Sequence, residues 1–129
     1  DEIITIDLKS EPQHPNFMDR PGITYIFPGI ETGSFLQFDP QVVQRLEVSI
    51  QSALKEQLTP IVFLHYPPIY GNSYNYEILE VLHRYAITEC YYGHIHGKAH
   101  QYAFEGVYEE TKMHLISGDY IQFKPVKIV

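Results

Sequence analysis

Residues Ile61 to Pro68 read IVFLHYPP: four apolar side chains, then a histidine, a tyrosine and two prolines. The run is apolar on both faces, as expected of a parallel strand covered by helices on at least one side. The strand ends at His65. Downstream, Ser73 or Asn75 in YGNSYN can cap a helix running through Tyr85, with Ile78, Leu79, Leu82 and Ala86 on its apolar face. TECYY, Thr88 to Tyr92, reads as the next strand and runs into Gly93 and the cluster GHIHGKAH. Strand, helix, strand is the repeating unit of an open α/β fold, in which functional groups gather at the carboxyl ends of the strands. His65 and His94 both fall at such ends.

Upstream, Asp39-Pro40 has the form of an N-cap followed by proline at the first helical position. Val42, Val43, Leu46, Ile50, Ala53 and Leu54 repeat at helical spacing and predict a helix from Pro40 to about Gln57. Ile23 to Phe27, ITYIF, is β-branched and aromatic and predicts a strand, and the alternation in Ile3 to Leu8 predicts a shorter one. SEPQHPNFMDRPG between them is rich in turn formers, and GIETGSFLQF carries no assignable period. The tail from Ala103 has two or three alternating strands broken at Glu109-Glu110-Thr111 and Ser117-Gly118-Asp119, an antiparallel finish to the sheet.

The 129 residues fit one domain, 1–129, and a composition 44% hydrophobic and 19% charged belongs to a folded globular chain without a transmembrane run. A formal charge of −7 supplies no basic field for a phosphate backbone, so neither nucleic acid nor a membrane is an expected partner. Cys90 is the only cysteine and lies in an apolar stretch, which fits a reducing compartment. The acidic start DEIITIDLKS lacks the basic region and cleavage site of a signal peptide, so the expected location is cytoplasmic. The chain begins without methionine, and the expectation is a processed or excised piece.

Three of the seven histidines, His94, His96 and His100, fall within seven residues. In an extended segment, side chains two apart leave on the same side, so His94 and His96 can approach one cavity, with Gly93 and Gly97 allowing tight turns around them. His65 can join them if its strand neighbours that of His94. Three imidazoles suit zinc, iron, nickel or copper better than magnesium or calcium. Against this, a lone H-x-H on a loop is usually an ordinary polar turn. His14, His83 and His114 read as surface or packing residues, and His100 as exposed. Tyr66, Tyr70, Tyr74 and Tyr76 either line a cleft or pack with a wet hydroxyl. Asp119 is either a turn residue or an acid orienting a histidine, and the turn is favoured.

With LHYPP at Leu64 to Pro68 and YGHIHG at Tyr92 to Gly97, the chain resembles the calcineurin-like metallophosphoesterases, and more narrowly a bacterial branch of predicted phosphohydrolases. The branch's further motifs AFEG and FKP stand at Ala103 to Gly106 and Phe123 to Pro125. The resemblance covers residues from about 39 to the end, the C-terminal half of such an enzyme, and leaves 1–38 unassigned.

It implies a four-layer αββα sandwich with a mixed sheet, and a two-metal site of manganese, iron or zinc that clamps a phosphate monoester or diester. His65 and His94 would bind one metal and His96 the other. The family's D-x-H, G-D-x-x-D and G-N-H-D/E motifs do not occur: Gly118-Asp119 has no aspartate three residues on, and Gly71-Asn72 is followed by serine. The bridging carboxylate and the general acid therefore have no source in these motifs, and the catalytic residues stay unassigned. Three readings remain: a half whose other ligands lie on a missing N-terminal half or another chain, with association into oligomers; a mononuclear three-histidine domain; or a non-catalytic interaction module.

Overall fold

The computed structural model describes residues 23–28 and 40–128. Strand β1 (Ile23–Ile26) is followed by helix α1 (Pro40–Lys55), β2 (Thr59–Leu64), the short strands β3 (Ile69–Tyr70) and β4 (Ser73–Tyr74), and helix α2 (Tyr76–Arg84). Then come β5 (Glu89–Tyr92), a 3-10 helix (Gly97–Tyr102), β6 (Gly106–Tyr108) and β7 (Thr111–Leu115). The expected strand at Ile3–Leu8, the Asp39 cap and the stretch GIETGSFLQF lie outside the described residues.

The main sheet has the order β1-β2-β5-β7-β6 and is mixed. Strands β1, β2, β5 and β7 run parallel, with Tyr25 beside Ile61, Leu64 beside Tyr92, and Tyr92 beside Leu115. Only β6 runs antiparallel, paired with β7 through Gly106 and Met113. The antiparallel finish is therefore a single hairpin. Its second strand is a parallel neighbour of β5, because β7 re-enters the sheet beside β5 with Lys112 N–H donating to the Thr88 carbonyl. Residues 118–123 form turns rather than a further strand.

Both helices lie against one face of this sheet. Leu46, Ile50 and Ala53 of α1 and Ile78, Leu79, Val81 and Leu82 of α2 are buried with Val62, Leu64, Cys90, Tyr92, Met113 and Leu115. Alternation along the strands puts Phe63 and Tyr91 on the opposite face. There Phe63 stacks on Phe27 at 4.8 Å and on Tyr91 at 5.1 Å, and Tyr91 stacks on His114 at 4.3 Å, an aromatic row from the residue after β1 across β2, β5 and β7.

The helix ends explain two misplaced face residues. Gln57 (φ 62°) and Ala86 (φ 54°) both adopt the left-handed conformation. Leu58 N–H donates to the Ala53 carbonyl and Ile87 N–H to the Leu82 carbonyl, each 2.9 Å, while Gln57 and Ala86 bond back to Leu54 and His83. This is the Schellman pattern, which satisfies carbonyls orphaned at a helix end. Ala86 therefore sits outside α2 and is exposed, with Ile87 buried in its place, and Leu54 at the end of α1 is also exposed. At the other end of α2 the expected cap is present: Asn75 Oδ1 accepts from Ile78 N–H at 3.2 Å.

Candidate functional site

His65 follows directly on β2, and the β2–β5 pairing extends one step further as Gly93 N–H donates to the His65 carbonyl at 3.3 Å. His94 then turns with φ 75°, a left-handed conformation that histidine, like asparagine and aspartate, enters more readily than other non-glycine residues. That turn offsets the one-residue difference in register and brings the rings together. His65 Nε2 lies 3.1 Å from His94 Nδ1, and the ring centroids are 4.9 Å apart. Tyr66 meets both rings edge-on, at 4.6 Å and 4.7 Å. Of the four tyrosines considered for a cleft, Tyr66 thus belongs to the histidine pair, Tyr70 packs edge-on against Tyr102, and Tyr74 stacks on Tyr76. Burial, and then the neighbouring His94, hold the His65 imidazolium below its ordinary pKa, so the ring favours its neutral, ligating form.

His96 is extended (φ −137°, ψ 160°) and opens the 3-10 helix. Its Nδ1 lies 2.9 Å from Asp119 Oδ1, His100 Nε2 lies 3.2 Å from the same oxygen, and Gly97 N–H donates to Asp119 Oδ2 at 2.9 Å. The hydrogen bond from His96, then that from Gly97, hold the Asp119 carboxyl well below the usual carboxylate range. Asp119 occupies a turn and also holds histidines. His100 is half-buried rather than exposed, its ring edge-on to Tyr120 at 5.1 Å. Glu105 of the AFEG motif accepts from Tyr120 Oη and from Leu115 N–H, tying this turn to the end of β7.

Among the described residues, the group of metal-ligand types whose atoms all lie within 4.8 Å of one another is His96, His100 and Asp119. His65 and His94 form a separate close pair. The three imidazoles expected at one point are therefore divided between two neighbouring clusters. The sequence carried one signal for His100, its spacing four residues after His96, while the weighed alternative of Asp119 as an acid orienting a histidine did not say which histidine. His83 is exposed, and its nearest acid is Glu109 at 4.0 Å. His114 belongs to the opposite sheet face, with Nε2 2.7 Å from Glu89 Oε1. Ser117, next to this turn, has a buried hydroxyl with no hydrogen-bond partner among the described residues.

Comparison with protein-family models, with curated proteins and with solved structures finds no match. No helix among the described residues is long and apolar enough to cross a membrane.

Proposed function

We propose that this chain carries the histidine side of a metal-dependent phosphoesterase site of the calcineurin-like kind, hydrolysing a phosphate monoester or diester. One observation carries the reading: His65 Nε2 and His94 Nδ1 face each other at 3.1 Å at the carboxyl ends of adjacent parallel strands. Two donors at about 2.0–2.1 Å from one tetrahedral ion stand roughly 3.3 Å apart, so the pair needs little movement to share it. His96 would serve the second ion of a two-metal site. Two imidazoles on one ion suit iron or zinc better than calcium, and manganese enters only through the family resemblance. An ion held by these residues would supply Lewis acidity, making bound water easier to deprotonate and offsetting the negative charge that develops on the phosphoryl oxygens. The chain's own part is to hold the imidazoles in place: Tyr66 packs both rings of the pair, and partial burial, with His94 beside it, lowers the pKa of His65.

The four-layer sandwich belongs to the same proposal. Helices cover one face of the sheet, and the other carries the aromatic row of Phe27, Phe63, Tyr91 and His114, which would take a second sheet. A single ion held by His96, His100 and Asp119 is the rival reading, supported by the proximity of those ligand atoms.

The test is hydrolysis of p-nitrophenyl phosphate and bis(p-nitrophenyl) phosphate by the full chain after purification without chelator and resupply with manganese, iron or zinc. Metal-dependent turnover that falls in both His65→Ala and His94→Ala supports the reading. Turnover unaffected by both substitutions refutes it.

A further inference from the structure

The three contacts around Asp119 specify protons as well as positions. An ionised carboxylate only accepts hydrogen bonds, so at each short contact the nitrogen must be the donor. His96 then carries its hydrogen on Nδ1, 2.9 Å from Oδ1, and His100 carries its hydrogen on Nε2, 3.2 Å from the same oxygen. The second oxygen is engaged as well, accepting from Gly97 N–H at 2.9 Å, so the carboxylate plane is held at both ends. Gly97 itself takes φ +59°, a conformation that any other residue would adopt with strain, and this turn aims its N–H at the carboxylate. A neutral imidazole with its hydrogen held on Nδ1 presents its lone pair at Nε2.

We infer that Asp119 is a positioning residue: it fixes the Nδ1–H tautomer and the ring orientation of His96, leaving Nε2 as the nitrogen that takes a metal ion. The inference rests on the proposed role of His96 as a ligand. It adds the supporting carboxylate that the HxH motif does not reveal, and gives the turn at Ser117-Gly118-Asp119 a task in the site. Carboxylate partners of this kind fix ligand tautomers, and their loss typically lowers metal affinity about ten- to a hundred-fold. His100 shares the carboxylate oxygen and occupies its more buried side, with side-chain exposure of 21% against 62% for His96. It is thus a packing partner of the carboxylate, and His96 is the ring open to an incoming ion.

The test uses the full chain labelled with 15N-histidine, first without metal and then with zinc. Long-range 1H–15N correlation should show the Nδ1–H tautomer for His96 in the free protein and zinc at its Nε2. In Asp119→Asn, Gly97 N–H still requires the amide oxygen, so the NH2 group faces His96 and drives it to the opposite tautomer; zinc affinity should fall about ten- to a hundred-fold. His100→Ala should leave the His96 tautomer unchanged.

Finding Nε2–H on His96 in the wild-type protein overturns the inference without any variant having to fold. Zinc bound at His96 Nδ1, and lost as fully in His100→Ala as in Asp119→Asn, overturns it in favour of an ion lodged among the three side chains. Absence of zinc binding by the wild type refutes the metal reading as a whole, whereas a wrong tautomer refutes the role of Asp119 alone.

Discussion

His65 Nε2 and His94 Nδ1 lie 3.1 Å apart although 29 positions separate them in the chain. The parallel pairing of β2 with β5 makes the approach, since each histidine leaves the carboxyl end of one of these neighbouring strands. Alanine at either position should weaken zinc binding by more than the about ten- to a hundred-fold that follows loss of a supporting partner. His114→Ala should leave binding unchanged, because His114 bonds Glu89 and stacks on Tyr91 on the other sheet face. Isothermal titration with zinc measures all three, and equal losses would remove the assignment.

Metal content per chain separates the two arrangements of the site. Elemental analysis of the resupplied protein should give two ions for the phosphoesterase reading, one near His65 and His94 and one on His96. A single ion that survives His65→Ala but is lost in His100→Ala would place it at the His96, His100 and Asp119 group.

Cys90 is fully buried in β5, and burial pushes its thiol far above the ordinary value. It should resist a thiol reagent in the native protein and react once the chain is unfolded in urea. The pH dependence follows from the sign of the shift. Because the folded pKa is raised, the associated stability is fully present below the unfolded value of about 8.5 and is lost as pH rises beyond it toward the folded value. Between pH 8 and pH 10 the urea midpoint of the native sequence should fall more steeply than that of Cys90→Ala.

Ala86 occupies the left-handed position that ends α2, where its Cβ is unfavourable. Ala86→Gly should raise stability by about 0.5–1 kcal/mol, the reverse of the usual cost of alanine at positive φ. Equilibrium urea unfolding measures the change, and an unchanged or lower midpoint would mean that the helix end does not hold this conformation in solution.

Leu46 is fully buried between α1 and the sheet. Leu46→Ala should cost about 2–5 kcal/mol through lost burial and the cavity left behind. Thermal or urea unfolding of the pair checks it, and a loss under about 1 kcal/mol would mean that α1 does not pack as described.

Much of the fold was legible because its signals are local. The apolar run Ile61 to Leu64, the helical spacing of Leu46, Ile50 and Ala53, and the side-chain cap at Asn75 each depend on neighbours a few residues away. So does the turn between β6 and β7, marked by Glu109-Glu110, where both residues take positive φ in place of the usual asparagine-glycine. The boundaries erred where a helix end needed a residue that sequence statistics disfavour: Ala86 and Gln57 carry no glycine signal, yet backbone hydrogen bonds hold them left-handed.

By itself, then, the sequence determined an α/β chain with histidines placed at strand ends, since periodicity reports which side of an element is buried. Only the tertiary structure decided which elements are neighbours. It put β7 parallel beside β5, paired His65 with His94, and drew His96 and His100 onto Asp119. Those relationships are set by sheet order and by hydrogen bonds between segments more than twenty residues apart in the case of His96 and Asp119. No local pattern encodes them, because pairing partners are chosen by the free energy of the assembled sheet rather than by any one of its strands.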